Sequence, residues 1–384
     1  MTKVPLPMPT IRTERGAVSD AYGHARLPAG HAEADVTRVD RVEYGRFRNV
    51  YLYITEACQL RCDHCYMGDR LDRALKMPLT AIIETLQTWR RLGGSKLTIL
   101  GGEPTLHPDF VAAVRAAKEL GYEQVITTSN GQAPAAKKLA QMDPSEFAYV
   151  QLSVDGGTAA SHDSIRGSGT FERVIMTAAD LAQRGFDVRF ICTVNQRNLD
   201  DCLHLLPLAD TLGVSLVKFH VFSTIGTGQQ FRDMAISPEA WVAFYEHLET
   251  VGPDYHTRIW YQPTFARAER LADFADDGYR GCVGRTLDRI SIFPDGRAYV
   301  CSYLFDTSLN FMQMEAAVPQ LNKGPNEMDL FTSASVNASC TECRQPNTCQ
   351  GGCPAERVVE GSTICEVSSD LHSVCRLWKA DVKK

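Results

Sequence analysis

Cys58-Gln-Leu-Arg-Cys62-Asp-His-Cys65-Tyr66 follows directly on the apolar run Val50-Tyr-Leu-Tyr-Ile54. Three cysteines spaced CX3CX2C with no obvious fourth suit a cubane iron-sulfur cluster that leaves one iron open, whereas two-plus-two pairs would indicate tetrahedral zinc. An open iron can bind a substrate or cofactor. From Val50 onward, short β-branched or aromatic runs alternate with segments of helical period, the signature of parallel βα units. Six runs read as strands, at about 50–54, 97–100, 123–127, 149–154, 188–194 and 214–221. Between them, Ile82, Ile83, Leu86 and Trp89 recur at helical steps in 80–92. Phe110, Val111, Val114 and Ala117 do so in 108–120, where Pro108 suits the first turn and Gly121 the stop. Phe171, Val174, Ile175, Ala178 and Leu181 repeat the pattern before Gly185, while Pro207 interrupts the run Leu199 to Leu212. The expected fold is α/β, a partial (β/α)6 parallel barrel whose strand C-termini carry the site.

Composition bounds the rest. The chain has 384 residues, 44% of them hydrophobic, enough for one large or two ordinary domains. A net charge of -6 with no basic block speaks against a general nucleic-acid binder. Neither a signal peptide nor an apolar run of about 18 residues is visible, so the expectation is a cytoplasmic protein with no membrane partner. Residues 1–47 read as an N-terminal arm, extended over the body or disordered, and 48–270 as the barrel. Pro238 to Val251 reads as a helix and Arg258 to Tyr261 as a further strand. Residues 271–384 read as a cysteine-rich domain that relies on metal rather than on a core of its own. Thirteen cysteines, an odd number in a chain with no export signal, point to metal ligation rather than disulfides, and eight of them fall between 282 and 375.

Gly101-Gly-Glu-Pro-Thr105 stands at the end of the second strand. Its glycines let backbone approach a ligand, and a carboxylate or carbonyl there can receive an ammonium, although a tight βα turn with a solvated Glu has the same sequence. Together, the triplet and this turn resemble the radical S-adenosylmethionine (SAM) superfamily. That resemblance implies a 4Fe-4S cluster with Cys58, Cys62 and Cys65 each on one iron, and SAM chelating the fourth through its amino and carboxylate groups. It also implies reductive cleavage of SAM to a 5'-deoxyadenosyl radical that abstracts hydrogen from substrate. Many relatives carry an aromatic residue before the third cysteine, where His64 stands here. Gly101, Gly102 and Glu103 are cofactor-binding candidates, with Glu103 or a neighbouring carbonyl on the methionine ammonium. Gln151-Leu-Ser153-Val-Asp155-Gly156 and His162-Asp-Ser-Ile-Arg166-Gly167 resemble the family's further SAM-binding stretch. Ser153 and Asp155 would meet ribose hydroxyls or the methionine carboxylate, and Arg166 would pair with that carboxylate. Local capping and an Asp-Gly turn are the alternatives.

The later cysteines, Cys282-X13-Gly296-X4-Cys301 and Cys340-X2-Cys343-X5-Cys349-X3-Cys353, then Cys365 and Cys375, resemble the SPASM extension of radical SAM peptide maturases. This implies two auxiliary 4Fe-4S clusters, three clusters in all. Cys282, Cys301 and Cys353 would hold the first; Cys340, Cys343 and Cys349 with Cys375, or its rival Cys365, would hold the second. The spare cysteine completes the first cluster or stays a thiol. Some relatives have another cysteine just upstream of the series, where Asp276-Asp-Gly-Tyr-Arg-Gly281 stands here, leaving an open iron or another ligand. Structural zinc is the alternative for these pairs taken alone. Cys192 and Cys202 read as buried apolar residues. His220, at the end of the sixth strand, and Ser302 are the catalytic candidates, with a rim or core histidine as the alternative for His220. Sulfatase-maturing relatives carry Asp where Ser302 stands.

The resemblance implies an oxidoreductase that oxidatively modifies a ribosomally made peptide, through a carbon-carbon, carbon-oxygen or thioether crosslink. A flavodoxin- or ferredoxin-type donor would supply electrons. The arm is too short for a fused leader-recognition domain, which a separate protein would replace. Dehydrogenation or epimerisation of a sugar or aminocyclitol is the second reading, and a non-catalytic redox regulator the third.

Overall fold

The computed structural model describes residues 47–305, 307–333, 349, 352–360 and 371–382. Cys340, Cys343, Cys365 and the N-terminal arm before Phe47 lie outside the described residues. Seven strands follow one another in the sheet: β1 (Asn49–Thr55), β2 (Lys96–Gly101), β3 (Gln124–Ser129), β4 (Tyr149–Ser153), β5 (Val188–Val194), β6 (Leu216–Val221) and β7 (Arg258–Tyr261). Each is parallel to its neighbour, as short strands joined by helical crossovers must be. Alternation along the strands sends Val50, Leu52 and Ile54 of β1 and Val217, Phe219 and Val221 of β6 into one core with Leu86, Trp89, Phe110, Val174 and Leu181 of the flanking helices. The opposite face keeps Tyr51, Ser153, Lys218 and His220 half-buried or buried along the concave side.

The six expected strands are present, and the seventh prolongs the array. Pro207 falls in the first turn of the helix Leu205–Leu212, preceded by the 3-10 turn Cys202–His204. There its missing N–H has no intrahelical partner to lose.

The sheet runs across the boundary expected near residue 270. Arg289–Ile292 pairs parallel with β1 on the side opposite β2, and Arg297–Tyr299, Met312–Glu315 and Val318–Leu321 extend that edge antiparallel. At the other edge Ala380–Asp381 pairs with β7, and Leu371–Ser373 forms a separate ladder with Phe265–Arg267. Nor is the C-terminal part without a core. Ile290, Ile292, Val300, Phe311 and Met312 join the main core, while Phe293, Tyr299, Leu304, Phe305 and Phe331 form a second one with Tyr53 and Leu71. The expectation of a segment folded by metal alone is corrected by this shared apolar packing. Among the described residues no helix is long and apolar enough to cross a membrane.

Candidate active site

The register of β1 against β2 shifts between Tyr53 and Thr55, bending the chain just before the cysteine loop. That loop is held from several sides. Asp63 N donates to Ile165 O (3.2 Å), Arg197 Nη1 to Asp63 Oδ2 (2.6 Å), and Thr227 N to Cys65 O (2.9 Å). Arg70 and Arg73 reach the buried Glu56 carboxylate and Asp295, tying the base of the loop to the hairpin that follows Ile292.

The Gly101-Gly-Glu103 turn packs on this loop. Gly102 N donates to Thr55 O (2.9 Å) and Glu103 N to Ala57 O (2.8 Å). A Cβ on Gly102 would fall 2.5 Å from Glu56 O and 2.6 Å from Ala57 O. The glycines therefore admit the cysteine loop, where a ligand had been the expected neighbour. Glu103 is built into the fold. Its carboxylate is buried and accepts from Thr105 N (3.1 Å), Thr105 Oγ1 (2.6 Å), Ser129 Oγ (2.9 Å) and Asn130 N (2.8 Å). Burial pushes its pKa up, and these four donors oppose that shift. Glu103 ties the β2 exit to the β3 exit, with three donors on Oε1 and one on Oε2.

Arg166, Asp155 and His64 form one network. Arg166 Nε donates to Asp155 Oδ2 (2.5 Å), His64 Nε2 stands 2.8 Å from the same oxygen, and Thr193 N donates to Asp155 Oδ1 (2.8 Å). Although burial opposes it, the Arg166 charge holds Asp155 far below the usual carboxylate range. Asp155 thus anchors Arg166 and His64 to the exit of β5. Ser153 is half-exposed at the end of β4, on the same rim.

N–H groups also surround the sulfurs. Leu60 N and Asn130 Nδ2 approach Cys58 Sγ at 3.4 and 3.7 Å, and Arg166 Nη1 approaches Cys62 Sγ at 3.9 Å. As free thiols Cys58 and Cys62 are pushed up to about 11 and about 12 by burial, so a metal must displace their protons. Donors aimed at sulfur, the cation beside Cys62 and an orphaned buried His64 Nδ1 fit an anionic iron-sulfur cluster with a polar cofactor above it. Among the described residues no three Cys, His, Asp or Glu side chains close up around one point as a single metal ion requires. A cubane instead spreads its thiolates over separate irons.

Across the loop lies the second group. Cys282, Cys301 and Cys353 are buried in the apolar cluster that Cys58 and Cys65 also pack against. Cys282 and Cys375 hydrogen-bond each other, and Cys282, Cys301 and Cys353 each feel the Cys375 charge. Cys375 thus stands beside Cys282, and Tyr279 feels the charges of Cys375, Cys282 and Cys349 alike, while Cys340 and Cys343 lie outside the described residues. In the same cluster Tyr53 stacks on Phe293 at 4.2 Å and meets Phe305 edge-on at 5.7 Å, and Tyr53 Oη lies 3.0 Å from Tyr66 Oη. Ser302 opens the 3-10 turn after Cys301, and His220 faces Lys379 on the concave side. Cys192 and Cys202 are buried, 3.5 Å apart. A cavity of about 330 Å³ bordered by Glu249, Tyr261, Arg270 and Asp273 is lined by none of these cysteines.

Asn130, His64 as a partner of Asp155, and Glu327, whose carboxylate accepts from Val300 N (2.6 Å) and Cys301 N (2.9 Å), were not singled out from sequence as site residues. The Asn130-Gly131 pair after β3 was the available signal for the first.

An α/β sheet with a CX3CX2C loop at its first strand exit defines a class. Residues 52–209 match the radical SAM superfamily, so the chain carries a radical SAM domain there, and that family implies a 4Fe-4S cluster and SAM. Within that class the chain is 26% identical over 359 residues to the PqqA peptide cyclase of Ruegeria pomeroyi, covering 85% of this chain and 89% of the relative. It is 26% identical over 342 residues to the AdoMet-dependent heme synthase of Oleidesulfovibrio alaskensis, covering 82% and 84%. The fold matches Streptococcus suis SuiB, solved with precursor peptide SuiA, at a TM-score of 0.67 and 16% identity over 88% of this chain and 81% of SuiB.

Proposed function

We propose that this chain is a radical SAM peptide maturase with a SPASM-type C-terminal region that oxidatively modifies a ribosomally made peptide. One observation carries the reading: Cys58 and Cys65 border the same apolar cluster as Cys282, Cys301 and Cys353, a cluster that contains the stacked Tyr53 and Phe293. In this reading Cys58, Cys62 and Cys65 hold the SAM-binding cluster, and Cys282, Cys301, Cys353 and Cys375 hold the first auxiliary one. Cys340, Cys343 and Cys349 then take Cys365 as their fourth partner. When bound, the first cluster and SAM together supply a 5'-deoxyadenosyl radical for hydrogen abstraction.

The protein's own groups bind and orient. Arg166, steadied by Asp155, offers a charged donor to the SAM carboxylate, and Ser153 a hydroxyl at the same rim. His64 Nε2 donates to Asp155 and leaves Nδ1 as an acceptor beside the cofactor. Backbone at Gly102 to Glu103 fixes the loop against which SAM lies. Tyr53, Phe293 and Phe305 keep water from the space between the cysteine groups. A reduced flavodoxin or ferredoxin supplies electrons, and a separate protein presents the leader.

The PqqA peptide cyclase relative supports a peptide substrate; the heme synthase relative supports a small molecule as the second reading. Anaerobic reconstitution, followed by incubation with dithionite and SAM, tests the class. Formation of 5'-deoxyadenosine that is lost in Cys58→Ala, Cys62→Ala and Cys65→Ala is expected. Bound zinc with no such product would overturn it and favour a redox regulator. A short precursor peptide encoded beside this chain favours maturation; sugar or tetrapyrrole enzymes favour the second reading.

A further inference from the structure

Four basic side chains meet on the concave face of the sheet. Because Val217, Phe219 and Val221 enter the core under the helices, Lys218 and His220 take the other face of β6. Ile290 and Ile292 likewise turn Arg289 to that face. Lys379 arrives from the C-terminal segment, its Nζ 2.5 Å from His220 Nε2. Lys218 Nζ donates to Gln151 Oε1 (2.7 Å) and lies between the Tyr149 and Trp260 rings, at 5.0 and 5.4 Å from their centroids. The Arg289 guanidinium lies 5.0 Å from the Tyr51 ring centroid, donates through Nη2 to Val300 O (3.4 Å), and keeps a buried Nε with no partner.

Among the described residues no carboxylate pairs with any of the four. Three cations and a histidine gathered out of bulk water with only carbonyl, amide and ring partners oppose folding unless an anion joins them. Burial, with Arg189 and Lys96 nearby and Asp187 opposing, lowers Lys218 to about 7, while burial and the charges of their neighbours in the group depress His220 and Lys379 well below their ordinary values. The group also sits where chemistry is expected. His220 feels the Asp155 charge, and Arg289 and Lys379 feel Cys375, so the cations lie beside the C-terminal cysteines and within electrostatic reach of the Asp155 network.

We propose that Lys379, His220, Arg289 and Lys218 form the seat for a carboxylate of the substrate, either an acidic side chain or a chain terminus. This rests on the maturase reading and specifies what it acts on. The carboxylate accepts from Lys379 Nζ and the guanidinium of Arg289, with Lys218 supporting from the β6 floor.

Binding rather than turnover tests it. The full chain, reconstituted with iron and sulfide, is titrated with N-acetyl-glutamate α-amide, its uncharged counterpart N-acetyl-glutamine α-amide, and N-acetyl-leucine, with and without saturating SAM. One acid binds at least about tenfold more tightly than the amide, and Lys379→Met and Arg289→Gln each reduce that affinity about tenfold while SAM affinity holds. Preference for the glutamate probe assigns a side-chain carboxylate, and preference for N-acetyl-leucine a chain terminus. Equal binding of acid and amide, no acid binding at millimolar concentration, or displacement of the acid by SAM overturns the seat. If a variant fails to fold, wild-type protein still decides: acid affinity falls with added salt and amide affinity does not. Intact 5'-deoxyadenosine formation with no acid binding removes the seat alone. Acid binding with no 5'-deoxyadenosine removes the radical reading and leaves the seat.

Discussion

Asp155 shows how much of this site depends on a single carboxylate. It satisfies Arg166, His64 and Thr193 N at once. Asp155→Asn leaves Arg166 beside Cys62 without its countercharge, and loss of one partner from a buried pair costs about 3–5 kcal/mol. We expect SAM affinity, followed by equilibrium dialysis, to fall at least about tenfold while iron at the three-cysteine loop is retained. His162 makes a pH prediction. Its Nδ1 accepts from Asp155 N (3.1 Å), and burial, with the Arg166 charge second, lowers its pKa from 6.5 to about 4. Between these values the unfolded chain binds the proton that the folded one refuses, so stability falls as pH drops from about 6.5 to about 4, by up to about 3 kcal/mol. His162→Gln should flatten that slope in urea melts across the same window; an unchanged slope would place the acid sensitivity elsewhere. The positions of Glu103, Asp155 and Arg166 were legible because each motif follows a recognisable strand or helix. Their partners were not. The donors on Glu103 include Ser129 and Asn130 from the next strand exit, and strand periodicity says where a strand ends, not which groups meet there.

At the scale of elements, the cysteine loop is clamped between two glycine-bearing turns. Gly226 has φ of +57°, and a Cβ there would lie 2.5 Å from Cys65 O; Gly102 opposes the other end of the loop, at Glu56 and Ala57. Alanine at either site must move backbone rather than a flexible side chain. We expect Gly102→Ala and Gly226→Ala to lose iron and 5'-deoxyadenosine formation from the first cluster while iron at the C-terminal cysteines persists, measured by iron analysis against a Cys58→Ala, Cys62→Ala, Cys65→Ala control. Equal loss from all sites would mean global misfolding instead. The strands that position this loop were legible, since each is a buried parallel run of four to seven residues flanked by turn signals. Arg297–Tyr299 and Leu371–Ser373, at three residues each, are too short for any period to declare itself, and their pairing is decided by partners distant in sequence.

For the whole molecule, the C-terminal segment closes the sheet's far side and serves the site together. Within residues 371–382 it supplies the strand paired with Phe265–Arg267, then Cys375, then Lys379 against His220, then the edge strand on β7. A reading by domains places all of this in a separate cysteine-rich unit because composition changes there, yet the apolar contacts that decide the packing connect it to the barrel strands. The grouping of Cys375 is the consequence most open to measurement. If it belongs with Cys282, either substitution disrupts the same cluster, and effects on a shared unit do not add. Cys282→Ala and Cys375→Ala should then each lower bound iron and sulfide by similar amounts, and the double variant by no more than either. Cys365→Ala should lower them through the other auxiliary site, so that combining it with Cys282→Ala gives nearly the sum. Additive loss in the Cys282→Ala, Cys375→Ala double variant would return Cys375 to the set of Cys340, Cys343 and Cys349. It would leave the hydrogen bond to Cys282 as packing only.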